Sequence, residues 1–280
     1  MVNYDHKATS HWSTSDKGYK AIHLLKNMQK FNISNIPFSN KDKHYKIKLP
    51  TQMSLELAEL IGIVVGDGHI GLYKRNHENR SHYRINICGN IKDEKHIDYT
   101  NSLFYSVFGV KLNKLIIKNK NAIELQKQSK AVCLFFKNII NIPNNKRNIT
   151  IPKCILAGSS KIKALFIRGL ADADFCLTIK YKPNSYPVIQ GGFKSKTLTE
   201  ESSKILKELS IKNYVRKEAQ YYKKRDITYT IHKIYINGFK RVGEFMEVIG
   251  FNNENKSSKY TQALEQRNLK TMKHIPKKFL

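Results

Sequence analysis

Apolar residues recur at helical spacing in the segment that follows Ser54. Four of them lie at intervals of one, three and four residues: Leu57, Leu60, Ile61 and Val64. Residues spaced in this way share one face of a helix, and Ser54 is a typical N-cap because its hydroxyl can accept a free backbone N–H of the first turn. The pattern therefore predicts a helix with one buried face that ends at Asp67 and Gly68.

An alternation of apolar and polar residues replaces the helical spacing after Gly68. Residues 70–74 and 83–88 alternate in this way, which predicts a hairpin of two strands. The pattern then predicts a helix over 93–108, a second hairpin over 111–118 and 122–127, and a helix over 130–139. This order of elements is αββαββα.

The same order is predicted a second time. The second set comprises a helix over 161–173, strands over 175–181 and 186–193, a helix over 197–209, strands over 213–221 and 227–236, and a helix over 239–249. We therefore expect an α+β fold of two pseudo-symmetric halves with antiparallel sheets. The expected units are a basic N-terminal extension (1–50), a first half (51–142), a linker (143–160), a second half (161–251) and a basic C-terminal tail (252–280). Short helices are predicted near 19–30 and 260–269.

A short motif is also repeated at the end of the first helix of each half. Its copies are Leu60-Ile-Gly-Ile-Val-Val-Gly-Asp67-Gly68 and Ile167-Arg-Gly-Leu-Ala-Asp-Ala-Asp174-Phe175. In register, Gly62 matches Gly169, Gly66 matches Ala173, and Asp67 matches Asp174. Small residues four apart form one face of a helix, so the two helices can approach closely and bring both carboxylates together.

The two copies resemble the motifs of LAGLIDADG homing endonucleases of the single-chain, two-motif type. The match is partial, because Val65 replaces the earlier Asp in the first copy and Phe175 replaces the final Gly in the second. The resemblance implies a site-specific double-strand DNA endonuclease whose two saddle-shaped sheets bind a long, asymmetric target. It also implies that the chain acts as a monomer on double-stranded DNA.

The resemblance further implies a metal site at the final acid of each motif. Asp67 and Asp174 would bind Mg²⁺, or another divalent cation such as Mn²⁺, with help from the backbone carbonyl groups of Gly66 and Ala173. Carboxylate and carbonyl oxygens are the ligands that Mg²⁺ prefers, and divalent cations can assist phosphodiester hydrolysis. Asp172 has Val65 as its counterpart, so we expect it to be structural or to act as a cap.

A lysine near the attacking water is the third catalytic residue that the resemblance implies. Lys194 lies at the expected place, after the second strand of the second half. The first half has Gly89 and Asn90 there, with Lys92 nearby. This departure puts the equal activity of the two halves in doubt.

Charge points to the same class of partner. The chain has 280 residues with 50 Lys+Arg and 22 Asp+Glu, a formal net charge of +28, and such a surplus creates a positive field that favours nucleic acid. Basic and amide side chains on the free faces of the sheets can contact phosphates or bases. The candidates are Lys74, Arg75, Arg80, His82, Arg84, Asn86, Lys118, Lys120 and Gln126 in the first half, and Lys180, Lys182, Gln190, Arg216, Lys223, Arg225, Thr228 and Thr230 in the second.

Two further features of the sequence bear on the compartment and on cysteine chemistry. No apolar run reaches the ~18 residues of a membrane span, and the N-terminus is polar, so we expect an intracellular protein in the cytoplasm or an organelle matrix, wherever its host DNA resides. The four cysteines show neither a C-x-x-C pair nor zinc spacing. We therefore expect neither a disulfide nor a zinc site.

Two alternative functions remain open on this sequence. Proteins with this fold also serve as intron RNA maturases, which would make intron RNA a partner, and the missing lysine of the first half is compatible with a DNA-binding protein that does not cleave. An intein is not expected, because the sequence begins with Met1 and lacks a His-Asn ending.

Overall fold

The computed structural model describes residues 30–74, 81–143, 145–181, 185–222 and 226–273. The helix predicted near 19–30 lies almost wholly outside these residues. Within the described ranges, no helix combines the length and apolar composition needed to cross a bilayer.

The first half has the predicted order of elements. A short helix, α1 (Asn40–His44), precedes it in the N-terminal extension. The helices of the first half are α2 (Leu55–Gly66), α3 (Glu94–Phe108) and α4 (Lys130–Leu134), and its strands are β1 (Gly68–Lys74), β2 (Ser81–Asn90), β3 (Asn113–Ile117) and β4 (Ala122–Gln128). Ser54 caps α2 as expected, since its side chain accepts the N–H of Leu57. The helix predicted over 130–139 is α-helical only to Leu134 and continues as a π-helical turn over Phe135–Ile139.

The second half repeats the order. A short helix, α5 (Lys153–Leu156), precedes it in the linker, and α9 (Glu254–Lys273) follows it in the C-terminal tail. The helices of the second half are α6 (Ser160–Asp174), α7 (Lys196–Glu208) and α8 (Phe239–Val248), and its strands are β5 (Phe175–Lys180), β6 (Tyr186–Phe193), β7 (Tyr214–Tyr222) and β8 (Ile227–Asn237). The prediction of a short helix near 260–269 was wrong in extent, because α9 begins at Glu254 and runs for 20 residues.

Each half contains one four-stranded antiparallel sheet. The strand orders are β1-β2-β4-β3 and β5-β6-β8-β7, so the same topology occurs twice. Helices cover one face of each sheet, where Ile85 and Ile87 of β2 and Ile234 and Ile236 of β8 are buried. The predicted α+β fold of two αββαββα halves is confirmed.

The two halves meet where α2 packs against α6 at very short range. A Cβ atom at Gly62 would lie 2.2 Å from the carbonyl oxygen of Phe166, and one at Gly169 would lie 2.1 Å from that of Glu59. Real Cβ atoms do not approach backbone that closely, so glycine is required at both positions. The small residues of the repeated motif therefore form the contact between the halves.

Segments outside the two repeats also belong to the packed structure. Ile36, Ile47 and Leu49, which precede the first repeat, are buried in the main hydrophobic core. Asp42 of α1 is fully buried, where its carboxylate accepts the hydroxyl of Ser129 at 2.6 Å. The described part of the N-terminal extension is thus fixed to the first sheet.

Candidate active site

The close packing of α2 and α6 brings the two motif acids together. Asp67 is the C-cap of α2, and Asp174 is the last residue of α6. A Cβ atom at Gly66 would lie 2.3 Å from that of Ala173 and 3.0 Å from Asp174 Oδ2. The small residues that the sequence placed on one face thus set the distance between the helix ends.

Both carboxylates can be reached by solvent, although protein surrounds them on most sides. This surrounding protein replaces bulk water, and it raises the pKa of Asp67 to about 6, with a further contribution from the negative charge of Asp174. The pKa of Asp174 is also raised by desolvation. Lys146 and Lys256 oppose this change at both acids, and a cation bound between the carboxylates would relieve their repulsion further.

Lys146 is a basic residue that lies beside these two acids. It begins a 3₁₀ turn, Lys146–Asn148, in the segment between the halves. Its Nζ donates to the carbonyl oxygens of Val64 at 2.9 Å and Gly66 at 2.8 Å. Desolvation lowers the pKa of Lys146 to about 8, while Asp174 and Asp67 oppose that change.

Lys256 of α9 makes similar contacts at the end of the other motif helix, α6. Its Nζ donates to the carbonyl oxygen of Ala171 at 3.0 Å and to that of Asp172. The carboxylate of Asp172 accepts the backbone N–H groups of Asn252 and Asn253, each at 3.1 Å. Asp172 therefore anchors the start of the segment that carries Lys256, which agrees with the structural role expected from the sequence.

Sequence reasoning missed both lysines. Lys146 lies in the segment interpreted as a linker, and Lys256 lies in the predicted basic tail. Neither belongs to a motif, and many other lysines surround them in the sequence. Only the folded structure identifies them, because there each lysine donates to carbonyl groups at the end of a motif helix.

Two clefts flank the carboxylate pair. The Asp174 cleft has a volume of about 370 Å³, and it includes Asp174, Lys146, Arg147 and Lys194 in its lining. Lys194 therefore lines the same cleft as Asp174, the acid of its own half, and its Nζ lies 4.9 Å from the ring centre of Tyr229.

The Asp67 cleft, on the other side, has a volume of about 250 Å³. Asp67, Asn90, Asp93, His96 and Lys256 are in its lining, whereas Lys92 is not. The Asp174 cleft thus offers three cations, and the Asp67 cleft offers one lysine beside several acids. The two halves are therefore alike in backbone and unlike in charge.

The donor set at the paired acids fits a hard divalent cation. Two carboxylates from the two halves supply oxygen ligands, and waters and phosphate oxygens normally complete the coordination of Mg²⁺. In the described part of the chain, no group of three or more His, Cys, Asp or Glu side chains is arranged to hold a metal. The carbonyl of Gly66, a predicted ligand, accepts a hydrogen bond from the Nζ of Lys146, which leaves one of its two lone pairs for a metal. The other predicted carbonyl ligand is that of Ala173. Lys146 and Lys256 donate to other carbonyl groups and not to this one.

The strand registers show which predicted DNA-binding residues share a free sheet face. His82, Arg84 and Asn86 of β2 pair with Tyr73, Gly71 and His69 on the free face of the first sheet, opposite the buried Ile85 and Ile87. Gln126 pairs with Asn86 on the same face. Lys118 and Lys120 lie in the 3₁₀ turn that joins β3 to β4.

The second sheet brings together only some of its candidates. Lys180, Gln190 and Arg216 lie on the free face, where Gln190 pairs with Tyr235 and Arg216 with Lys233. Thr228 and Thr230 alternate with them and lie in register with the helix-covered positions Ile234 and Ile236. The neighbouring residues Tyr229 and Ile231 face the free side instead. Arg75, Arg80, Lys182, Lys223 and Arg225 lie outside the described residues, and Lys74 ends β1.

Comparison with known proteins agrees with this architecture. Residues 161–250 match the family of LAGLIDADG-like domains. The fold resembles that of a double mutant of I-SmaMI, with 12% identity over 80% of this chain and 93% of the other and a TM-score of 0.53. It also resembles I-DmoI in complex with DNA and Ca, with 20% identity over 76% of this chain and 97% of the other and a TM-score of 0.50.

Two curated proteins of Methanocaldococcus jannaschii are similar in sequence. An uncharacterized protein is 27% identical over 229 residues, which cover 81% of this chain and 24% of the relative. A glutamine–fructose-6-phosphate aminotransferase is 26% identical over 230 residues, which cover 80% of this chain and 19% of the relative. The chain thus spans about a quarter or less of the length of these relatives.

Proposed function

We propose that this chain, which has the fold of LAGLIDADG homing endonucleases and a LAGLIDADG-like domain in its second half, is a site-specific DNA endonuclease. It hydrolyses phosphodiester bonds in both strands of a long, asymmetric target, with Mg²⁺ or Mn²⁺ bound at Asp67 and Asp174. The observation that carries the proposal is the carboxylate pair at the ends of α2 and α6, with one lysine fixed at each helix end.

The site combines the groups that phosphodiester hydrolysis requires. A bound divalent cation would supply charge neutralisation at the scissile phosphate and activation of the attacking water. Asp67 and Asp174 hold that cation, one from each half. Lys146 and Lys256 place positive charge beside the acids, where it can stabilise the charge that develops on the phosphate. Lys194 is suited to orient water on the Asp174 side.

The free sheet faces are suited to hold the DNA. Arg and Lys can read guanine, and Asn and Gln can read adenine, from the major groove. Asn86 provides such a group on the first sheet, and Gln190 and Arg216 provide them on the second. Since the two faces differ in sequence, a single chain reads two unlike half-sites and its target is asymmetric.

The test is cleavage of a DNA pool, followed by sequencing of the broken ends. Genomic fragments from the source organism are incubated with the full chain in Mg²⁺, in Mn²⁺ and with chelator alone. The proposal predicts paired breaks at one long sequence in either metal and none with chelator. Tight, salt-sensitive binding of that pool without any break would refute cleavage and favour a regulator, whereas preference for intron RNA would favour a maturase.

A further inference from the structure

A further pocket lies at one end of the strands of the first sheet, away from the carboxylate pair. It has a volume of about 260 Å³. Its lining consists of Lys41, Tyr45, Arg84, Asn113, Gln126, Lys127 and Gln128. We call it the Lys41 pocket. Three cations, three amides and one phenol line it, and no carboxylate is among the lining residues.

The wall of the Lys41 pocket that α1 forms is firmly anchored. Asp42 is fully buried and accepts the hydroxyl of Ser129 at 2.6 Å and the N–H of Ala131 at 3.2 Å. It also accepts the N–H of Ser39 at 2.8 Å, which completes a capping box. Lys41 and Tyr45 are therefore held in place against the sheet before any ligand binds.

The cations of the pocket are positioned but not neutralised. Lys41 Nζ donates to Gln128 Oε1 at 2.7 Å, and Lys127 Nζ lies 4.2 Å from the ring centre of Tyr45. The Nε of Arg84 is buried and has no hydrogen-bond partner. Arg84 thus lines the pocket without a carboxylate partner among the lining residues.

The position of the pocket along the sheet identifies which part of a ligand it meets. The N–H of Cys88 donates to the carbonyl oxygen of Asp67 at 3.4 Å, and Arg84 precedes Cys88 by four residues on β2. At about 3.4 Å per strand residue, the pocket lies roughly 14 Å outward from the carboxylate end. That distance corresponds to about four nucleotides along one DNA strand.

We infer that the Lys41 pocket binds a backbone phosphate of the DNA in the outer part of one half-site, so that α1 extends the contact beyond the sheet. The inference rests on the proposed function. A phosphodiester carries one negative charge and several acceptor oxygens, which match the three cations and the amide donors that line the pocket. The sheet face near the cleavage centre would read bases, and this pocket would fix the register of the flanking backbone.

The experiment pairs one side chain with one phosphate. Duplexes that the full chain binds in Ca²⁺ are selected from a random pool, and each phosphate of the selected duplex is replaced in turn by a neutral methylphosphonate. Kd is then measured for the wild type, Lys41→Met and the control Lys43→Met, which removes an exposed lysine of the same helix that does not line the pocket. Arg84→Gln serves as a second pocket variant.

One methylphosphonate in the outer half-site should weaken wild-type binding about tenfold. Lys41→Met should weaken binding of the natural duplex to a similar degree. The methylphosphonate at that position should then have no further effect on the Kd of this variant, because the two changes remove the same contact. Lys43→Met should keep the wild-type sensitivity. The slope of log K against log salt should fall by about 0.9 for Lys41→Met.

Three results would overturn the inference. If Lys41→Met and Lys43→Met respond alike to every methylphosphonate, the pocket has no phosphate contact, while the endonuclease proposal is unaffected. If inorganic phosphate binds the wild type at micromolar concentration and not Lys41→Met, the pocket serves a small phosphate compound instead of DNA. If the pool yields no bound duplex, the proposed function itself fails.

Discussion

Lys146 and Lys256 donate to carbonyl oxygens at the ends of different motif helices, although 110 residues (256 − 146) separate them in the sequence. Lys146 binds the end of α2, and Lys256 binds the end of α6. Both lysines donate to one equivalent carbonyl, that of Val64 in α2 and that of Ala171 in α6, and their second acceptors differ. The pseudo-symmetry of the site therefore includes residues that lie outside both copies of the repeated motif.

Removal of either lysine should impair cleavage more than binding. We expect Lys146→Met and Lys256→Met each to lower the rate of cleavage about 10²-fold, since each change removes a fixed charge from a site that develops negative charge. The Kd for the target should change only a few-fold. Single-turnover cleavage and binding in Ca²⁺ measure the two quantities separately.

Lys153→Met is the control for these variants, because Lys153 is exposed and is absent from the lining of both clefts. It should cleave at the wild-type rate. A loss of binding that accounts for the whole loss of rate in Lys146→Met would show that this lysine only contacts the DNA backbone.

The contact between α2 and α6 should tolerate no added methyl group. Gly62→Ala places a Cβ atom 2.2 Å from the backbone oxygen of Phe166, so the helices must separate. We expect the free energy of unfolding to fall by about 3 kcal/mol. Urea denaturation measures it, with Gly71→Ala as the control, because a Cβ at Gly71 meets its nearest neighbour at 3.4 Å. Equal effects of the two changes would contradict the close packing.

The two DNA strands should be cleaved at unequal rates, because the two clefts differ in their basic residues. The Asp174 cleft contains Lys194, and the Asp67 cleft has Asn90 among its lining residues. We expect Lys194→Ala to slow one strand about tenfold or more, so that nicked plasmid accumulates, whereas Lys196→Ala leaves both rates unchanged. Strand-specific end labels measure the rates. An equal loss on both strands would show that Lys194 serves the site as a whole.

Much of the fold and part of the site could be predicted from local sequence. The helical spacing of Leu57, Leu60, Ile61 and Val64 and the match of Gly62 with Gly169 are local signals, and they predicted α2, α6 and their close contact. Lys194 was expected from the family resemblance, which implies a lysine directly after this strand. These features depend on neighbours in the sequence, so no knowledge of distant packing was needed.

The remaining features depend on distant contacts. Lys146 and Lys256 reach the site only because the segments that carry them pack against the helix ends. Thr228 and Thr230 were expected on the free face, but the alternation along β8 places them on the side of the buried Ile234. Both remain exposed near the start of the strand. The π-helical turn after Leu134 has no local sequence signature that we recognise.

His96 should make stability depend on pH. Its imidazole is 9% exposed, and burial lowers its pKa from 6.5 to about 4, with a contribution from Lys256. The folded protein therefore keeps His96 neutral while the unfolded chain binds a proton below about pH 6.5. Its contribution to stability is complete above that pH and is lost as the pH falls towards 4.

The His96→Gln variant isolates this effect, since glutamine does not titrate. Between pH 7 and pH 5, the free energy of unfolding of the wild type should fall by about 2 kcal/mol relative to the variant. Urea denaturation at the two pH values measures the difference. Parallel losses in both proteins would show that His96 is not buried in its neutral form.

The most direct test of the account uses a plasmid that contains one copy of the mapped target. Asp67→Asn and Asp174→Asn each remove one charge of the pair, and Asp98→Asn removes an acid that pairs with Lys114 on the surface. In Mg²⁺, the wild type and Asp98→Asn should convert supercoiled plasmid to linear product. Asp67→Asn and Asp174→Asn should bind the target and produce no linear product. Linear product from either of these two variants at the wild-type rate would contradict the central claim that the paired acids form the catalytic centre.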